Sequence, residues 1–198
     1  MTMTSIPRIG IIIGTTREKR FADRPAQWLF ELASRRNDAE FEIVDLRDYP
    51  MPFFDEAISP AFQPPANPVA QLWAQKLASL DGFVFVTGEY NHSIPAVLKN
   101  ALDYAYKEFN RKPATFLAYG ALGGSRAVEH LRGILAELHV ATIKHAIHIN
   151  RPELVGMMME GKDFADFPYL EEGAGPVLEE IVWWARALKA GRSQPLAA

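Results

Sequence analysis

The segment Gly14–Arg20 carries residue types that bind a terminal phosphate. It reads Gly14-Thr15-Thr16-Arg17-Glu18-Lys19-Arg20 and follows a short apolar run. It offers two hydroxyls, three cations and backbone N–H groups at or near the start of a predicted helix, which together suit one phosphate group. It matches neither G-x-G-x-x-G nor G-x-x-x-x-G-K-[ST], which argues against a dinucleotide turn and a nucleoside-triphosphate loop. On these residues alone, a helix cap with solvated basic side chains is an equally good interpretation.

A second loop, Gly88–Pro95, has the residue types to contact a planar ring. It runs into a predicted helix for which Ser93 is the expected N-cap. Its N–H donors and the positive end of the helix dipole favour a heterocycle that gains electron density on reduction, with ring contact from Tyr90 and hydrogen bonds from Asn91. The alternative is a capped loop with a packed tyrosine. Because no second histidine lies nearby in the sequence, a loop-bracing or solvent-facing role is favoured for His92 over acid–base catalysis.

A third loop, Gly120–Arg126, contains Gly120, Gly123 and Gly124 and again enters a predicted helix. Glycine lets the backbone approach a ligand closely. The alternative is a tight turn capped by Ser125 or Gly124. Each loop has a structural explanation of its own, so the inference of a ligand site depends on all three lying on one sheet edge.

Other candidates for chemistry do not meet the spacing that they need. On a strand, His145 and His148 would point to opposite faces and cannot share a metal ion. No G-x-S-x-G motif is present, and Ser93 has no evident histidine and acid partner. Asp45 ends a strand but lacks the glycine fingerprint of a ribose-binding acid, so a structural role is favoured. Packing or an interface is the expected role of Met157–Met159.

Composition excludes several function classes. The 198 residues include no cysteine, which removes disulfides, thiolate nucleophiles, and zinc or iron–sulfur sites held by cysteine. The formal net charge of −3 gives no indication of a nucleic-acid or anionic-membrane partner. No apolar run approaches the roughly 20 residues of a membrane helix, and residues 1–8 lack an apolar signal-peptide centre, so a cytoplasmic protein is expected. Any redox chemistry then needs a bound organic cofactor.

The elements that would position the three loops alternate between strand and helix. Three nearly all-apolar runs predict central strands, at Arg8–Gly14, Phe83–Thr87 and Ala114–Tyr119, and two mixed runs predict edge strands, at Glu40–Asp45 and Thr142–His148. Helical spacing predicts helices at Phe21–Arg36, Pro68–Leu80, Pro95–Phe109, Gly124–Leu138 and Pro176–Ala190. This pattern predicts an α/β fold, a three-layer doubly wound sandwich with a five-stranded parallel sheet of flavodoxin-like order 2-1-3-4-5. The ligand crevice should lie between strands one and three.

One domain is expected over residues 1–198, with a core at 8–149 and a C-terminal extension at 150–198. Within the core, Tyr49–Pro68 holds six prolines and four aromatic residues. A loop of this length is usually a lid or a contact surface.

The three loops together resemble the NADPH-dependent FMN reductase family, whose members are flavodoxin-like flavoproteins that include quinone, azo-dye and chromate reductases. The specific part is Glu89–Asp103, E-Y-N-H-S-I-P-A-V-L-K-N-A-L-D, which is similar to the family's P-x-Y-N-x-S-x-P-x-x-L-K-N-x-x-D. Gly14–Arg17 resembles the family's G-S-x-R phosphate loop, and Gly123–Arg126 its second flavin loop. The chain departs from the pattern at Glu89, where the family often has proline, and at Glu18-Lys19, where small residues are common.

The resemblance implies an FMN site. By position, Thr15, Arg17 and Arg20 would hold the phosphate, and the isoalloxazine would lie between two groups of residues: Glu89, Tyr90, Asn91, His92, Ser93 and Ile94 on one side, and Gly120, Gly123 and Gly124 on the other. It further implies hydride transfer from NADPH or NADH to flavin N5, then reduction of a small flavin, quinone or azo acceptor in a ping-pong cycle without a catalytic side chain. Family members are usually homodimers or homotetramers with flavin sites beside the interface, to which Tyr49–Pro68 is expected to contribute.

Two rival functions remain open on the sequence. A flavin-binding electron carrier or sensor would not turn over nicotinamide, although such carriers tend to be shorter and more acidic than this chain. A flavodoxin-like nucleotide hydrolase would need a carboxylate placed over a sugar, and Glu89 is the one well positioned for it.

Overall fold

The computed structural model describes residues 6–194, and it contains one sheet between two helical layers. Four parallel strands form most of the sheet: β1 (Arg8–Ile13), β2 (Glu40–Asp45), β3 (Gly82–Gly88) and β4 (Pro113–Tyr119). Two short parallel strands, β5 (Ala141–Thr142) and β6 (Ile147–Ile149), both pair with β4. The order is β2-β1-β3-β4-β5, so the predicted order 2-1-3-4-5 is confirmed.

Within the described residues, six α-helices flank the sheet: α1 (Asp23–Ala33), α2 (Pro68–Ala78), α3 (Ala96–Asp103), α4 (Ser125–Glu137), α5 (Arg151–Met159) and α6 (Pro168–Arg192). Side chains on alternate positions of β1 and β3 enter opposite layers. Ile11 and Val84 pack with α1 and α6, whereas Ile12 and Phe85 pack with α2, α3 and α4. The strands β3 and β4 are buried along their whole length, which explains their nearly continuous apolar sequences.

The predicted fifth strand is interrupted. The chain leaves the ladder between β5 and β6, where the Thr115 hydroxyl donates to the His145 carbonyl (2.7 Å) and Arg132 donates to the Ile143 and Lys144 carbonyls (2.6 and 2.9 Å). These side chains replace strand partners for the connecting residues. The sequence pattern placed His145 on a strand, but in the structure it lies between β5 and β6. Its Nδ1 lies 2.7 Å from Glu180 Oε2.

The helix predictions are wrong in three places. The helix α3 ends at Asp103 rather than at 109, because Tyr104 and Phe109 are fully buried in the α2 and α3 layer and the chain turns to place them there. The helix α5 was not predicted. The helix α6 begins at Pro168 and continues through Pro176. Burial of its apolar face, which includes Leu170, offsets the stability lost with the backbone hydrogen bond that proline removes.

The long helix α6 is held by ion pairs at the amino end of β3. Lys189 Nζ lies 2.7 Å from Asp81 Oδ2, and Arg192 Nη2 lies 2.6 Å from Asp81 Oδ1. The segment after Asn150 thus packs into the core formed by the preceding residues. None of the helices within residues 6–194 is long and apolar enough to cross a membrane.

The proline-rich loop, Tyr49–Pro68, is anchored by Asn100 of α3. The Asn100 side chain accepts from the Phe54 N–H (2.8 Å) and donates to the Pro52 carbonyl (2.7 Å). The side chains of Phe53 and Phe62 point outward, and each residue is 81% exposed. The loop is therefore held in place while its aromatic tips face solvent.

Candidate functional site

The loops that follow β1, β3 and β4 meet at the carboxyl edge of the sheet, as predicted. A cavity of about 220 Å³ opens between them. Its lining combines cations, aromatic rings and glycines: Arg17, Lys19, Arg20, Phe21, Gly88, Glu89, Tyr90, Tyr119, Gly120, Leu154 and Met158. This is the crevice that the doubly wound topology places at its switch point.

The first loop presents backbone donors that the protein does not use. Among the described residues, the N–H groups of Thr15, Thr16 and Arg17 donate to no protein acceptor. Thr15 is only 1% exposed, so its N–H requires a partner. Its hydroxyl lies 3.0 Å from the Tyr90 hydroxyl, which joins the first loop to the second.

Arg17 is one of two exposed cations of this loop, the other being Lys19. Its guanidinium carbon lies 5.8 Å from the centre of the Tyr90 ring. No carboxylate within residues 6–194 forms an ion pair with it. Arg17 is thus available to an anion, as the sequence predicts.

Arg20 is placed differently from the sequence expectation. Its side chain is 2% exposed, and its guanidinium binds Asp45 with two nitrogens, Asp23 (Nε to Oδ1, 2.8 Å) and the Thr15 carbonyl (Nη1 to O, 2.5 Å). Burial alone would lower the pKa of Arg20, but the hydrogen bonds and charges of Asp45 and Asp23 raise it. Its donors are occupied within the protein, and Asp45 has the structural role that its sequence context favours.

The second loop is a tight turn. The Tyr90 N–H donates to the Ser93 carbonyl (2.9 Å) and the Ser93 N–H to the Tyr90 carbonyl (3.1 Å), with Asn91 and His92 at φ of 49° and 74°. Positive φ at both central residues is the type I′ geometry, which holds a hairpin rigidly. The backbone that follows Tyr90 therefore has one defined shape, and Ile94 after it is buried.

Ser93 does not cap α3, because the helix begins at Ala96 with Pro95 as its N-cap residue. The Ser93 hydroxyl lies instead 3.0 Å from His130 Nδ1, on α4. The His92 and His130 rings are 5.5 Å apart. The fold thus gives Ser93 and His92 a histidine neighbour from 37 and 38 positions away, a separation that no local sequence pattern reveals.

Glu89 joins the second and third loops. Its carboxylate is 5% exposed and accepts from Arg126 Nε (2.6 Å) and from the Arg126 backbone N–H in the first turn of α4 (3.2 Å). Burial would raise the pKa of Glu89, but these Arg126 bonds lower it. An ionised glutamate paired in this way braces the crevice and cannot serve as a free carboxylate over a sugar.

The third loop needs its glycines. Gly120, Gly123 and Gly124 all have positive φ (157°, 62° and 70°). A Cβ on Gly123 would lie 2.7 Å from Asn150 Oδ1, and one on Gly124 would lie 2.9 Å from the Tyr119 nitrogen. The loop can therefore pass close to the end of β4 and leave the crevice open above it.

The comparisons with known proteins agree with this geometry. Residues 7–152 match the family model described as NADPH-dependent FMN reductase. The chain is 37% identical over 154 residues to an NAD(P)H-dependent FMN reductase of Schizosaccharomyces pombe, covering 75% of this chain and 76% of the relative. The chain belongs to the NADPH-dependent FMN reductase family. It is therefore an NAD(P)H-dependent flavoprotein oxidoreductase with FMN as its cofactor, and the family resemblance predicted from the sequence is confirmed.

One further relative agrees with this assignment, and one solved structure agrees with the fold. A 2-hydroxy-1,4-benzoquinone reductase of Burkholderia is 32% identical over 154 residues, which cover 74% of this chain and 76% of the relative. The solved structure of the flavoenzyme NAD(P)H:(acceptor) oxidoreductase FerB from Paracoccus denitrificans superposes with a TM-score of 0.72 at 19% identity, covering 92% of this chain and 98% of that one. The second similarity supports the fold.

Four residues that line the crevice were not predicted from the sequence: Phe21, Tyr119, Leu154 and Met158. Phe21 and Tyr119 form an edge-to-face pair with centroids 5.1 Å apart, and burial raises the pKa of Tyr119. Leu154 and Met158 come from α5. Tyr119 ends a central strand, which is a usable signal, whereas α5 was not predicted and its side chains could not be placed.

Proposed function

We propose that the crevice binds FMN with its phosphate in the loop 14–17 and its isoalloxazine between the loops 88–94 and 120–124. The observation that carries this proposal is the set of unused backbone N–H groups of Thr15, Thr16 and Arg17 beside an exposed guanidinium. Unused backbone donors together with an arginine form a site for a phosphate dianion. The rigid Tyr90–Ser93 turn and the glycine loop supply two walls for a planar ring.

Bound between these loops, FMN would supply the hydride chemistry at N5, between NAD(P)H and a second substrate, and we propose a ping-pong order for the two substrates. The protein's part is to bind and orient. The Tyr90 hydroxyl, held by Thr15, fixes the position of its ring against the first loop. Glu89 and Arg126 hold the second and third loops together, so the width of the crevice is set before any ligand enters.

We further propose a small planar acceptor such as a quinone, a flavin or an azo compound. The relative from Burkholderia is named for a benzoquinone, which supports the quinone class. Leu154 and Met158 give one side of the crevice an apolar and adaptable surface, which suits several acceptors. Cytoplasm is the proposed location, because it supplies NAD(P)H.

The assembly is proposed to be a homodimer or homotetramer. Phe53, Phe62 and Met159 are each about 80% exposed. Single exposed apolar residues are ordinary, but the first two lie on a loop that Asn100 holds in one shape, and a fixed aromatic tip can be buried by a partner with little loss of entropy. Light scattering of the purified chain tests this assembly.

The visible spectrum of the purified protein, before and after anaerobic addition of NADPH, tests the function. A yellow protein that NADPH bleaches and a quinone restores is the expected result. A colourless protein that takes up no FMN would overturn the proposed site. A yellow protein that NADPH cannot bleach would favour the electron-carrier alternative.

The phosphate assignment has its own test. Arg17→Ala should weaken FMN binding by roughly 10-fold to 100-fold, the value of one hydrogen bond to a charged group, with the fold intact. Arg35→Ala is the matched control, because Arg35 is an exposed arginine just after α1 that pairs with Glu171 and does not line the crevice. Unchanged FMN affinity in Arg17→Ala would refute the assignment.

A further inference from the structure

Two arginines hold the carbonyl groups of the phosphate loop. Arg20 Nη1 donates to the Thr15 carbonyl at 2.5 Å. Arg47, just after β2, donates through Nη2 to the Glu18 carbonyl at 2.9 Å and to the Arg17 carbonyl. Three of the loop's carbonyl oxygens are therefore bound from the side of β2 and α1.

The positive charges of these two arginines are already balanced. Arg20 contacts Asp23 and Asp45, and Arg47 Nη1 lies 3.9 Å from Asp23 Oδ2. The Arg47 backbone N–H also donates to Asp45 Oδ1 at 2.9 Å. Two guanidinium groups and two carboxylates sum to no net charge, so this cluster adds little attraction for an anion at a distance.

The cluster acts instead on the direction of peptide groups. In a planar trans peptide, the C=O of one residue and the N–H of the next point in opposite directions. Binding the Thr15 carbonyl toward Arg20 therefore turns the Thr16 N–H away from it. The Arg17 and Glu18 carbonyls, bound by Arg47, orient the N–H groups of Glu18 and Lys19 in the same way. Among the described residues these two N–H groups also donate to no protein acceptor, so they extend the set of unused donors of Thr15, Thr16 and Arg17.

We infer that Arg20 and Arg47 are positioning residues, which fix the phosphate loop with its N–H groups toward the FMN phosphate without touching the phosphate. The inference rests on the proposed phosphate site. It assigns a different role to Arg20 than to Arg17, although both are arginines of one short loop. It also brings in Arg47, which no motif of the sequence indicates.

The test compares two flavins that differ only in the phosphate. Binding of FMN and of riboflavin to the full chain freed of flavin is measured by fluorescence titration. Arg47→Met should weaken FMN binding about 10-fold and riboflavin binding less than about 2-fold, because riboflavin makes no use of the loop. Arg36→Met is the control, since Arg36 is another arginine with a partly exposed side chain (22%, against 35% for Arg47), and it pairs with Asp38 and Glu179 away from the loop.

The conservative variants separate positioning from charge. Arg47→Lys and Arg20→Lys keep the charge but lose the planar fork, so neither should restore the preference for FMN over riboflavin. Using Arg47, whose side chain is 35% exposed, keeps the test valid if Arg20 variants do not fold. The inference would be overturned if Arg47→Met kept the full wild-type preference for FMN over riboflavin, or if Arg47→Lys showed that preference while Arg47→Met did not. A wild-type protein that binds both flavins equally would instead overturn the phosphate site itself.

Discussion

The buried lysine Lys112 makes stability depend on pH in a direction that can be worked out. Lys112 is 5% exposed, and its Nζ donates to the Leu77 carbonyl (2.7 Å) at the end of α2. Within residues 6–194 it forms no ion pair, and the charges that act on its pKa are those of Arg192, Asp81 and Glu108. Burial, reinforced by Arg192, lowers the pKa of Lys112 from 10.5 to about 8.

The size of the effect follows from the two pKa values. Each tenfold difference in proton affinity is worth about 1.4 kcal/mol, so the charged form of Lys112 costs the folded state roughly 3 kcal/mol. A folded pKa below the unfolded one means that the unfolded chain binds more protons between about pH 8 and pH 10.5. The free energy of unfolding therefore rises with pH across this window, as the cost of the charge disappears.

Urea denaturation of Lys112→Met and of the wild type, at about pH 7 and about pH 10, measures this dependence. The wild type should gain roughly 2 to 3 kcal/mol relative to the variant between the two pH values, because methionine carries no proton. Comparing the two proteins removes the titration of all other groups. Lys99→Met is the control, since Lys99 is exposed and pairs with Asp103. The difference in unfolding free energy between this variant and the wild type should change by less than about 1 kcal/mol between the two pH values. A pH-independent difference for Lys112→Met would refute the reasoning.

Two more predictions concern the crevice. Tyr90→Phe leaves the buried Thr15 hydroxyl without its partner and should lower the free energy of unfolding by about 1 to 3 kcal/mol. The double variant Tyr90→Phe/Thr15→Val should lose less stability than the sum of the losses in the two single variants. Additive losses, measured by urea denaturation, would contradict the hydrogen bond. Gly124→Ala should destabilise by more than about 1 kcal/mol, because φ is 70° and the new Cβ would lie 2.8 Å from Ala118 Cβ. Gly133→Ala, within α4 and with nothing within 4 Å of the new Cβ, should stabilise the protein slightly. Similar thermal shifts for the two glycine variants would rule out this explanation.

The sheet order was predictable because burial leaves a direct trace in composition. The strands β3 and β4 are buried on both faces and are almost wholly apolar, whereas Glu40 and Glu42 mark β2 as an edge. The break between β5 and β6 left no such trace. It depends on Thr115 and Arg132, whose side chains reach across the fold to carbonyls of the connection.

The same distinction applies to the site. The spacing of Thr15, Tyr90 and the glycines predicts which loops meet, because parallel strands bring their carboxyl ends to one edge. It does not predict which polar side chains pair with each other across that edge. The contact of Ser93 with His130 and that of Glu89 with Arg126 both join positions 37 residues apart.

The phosphate loop shows why counting cations overestimates the charge offered to a ligand. The segment 17–20 contains three cations and one acid, which gives a net charge of +2 in the sequence. In the fold, Arg20 is neutralised by Asp45, which lies 25 positions away, and by Asp23. The exposed positive charge comes from Arg17 and Lys19, and exposed Glu18 offsets part of it. Since net charge alone is then small, selectivity for a phosphate must depend on the direction of backbone N–H groups, which is the property that the Arg20 and Arg47 contacts control.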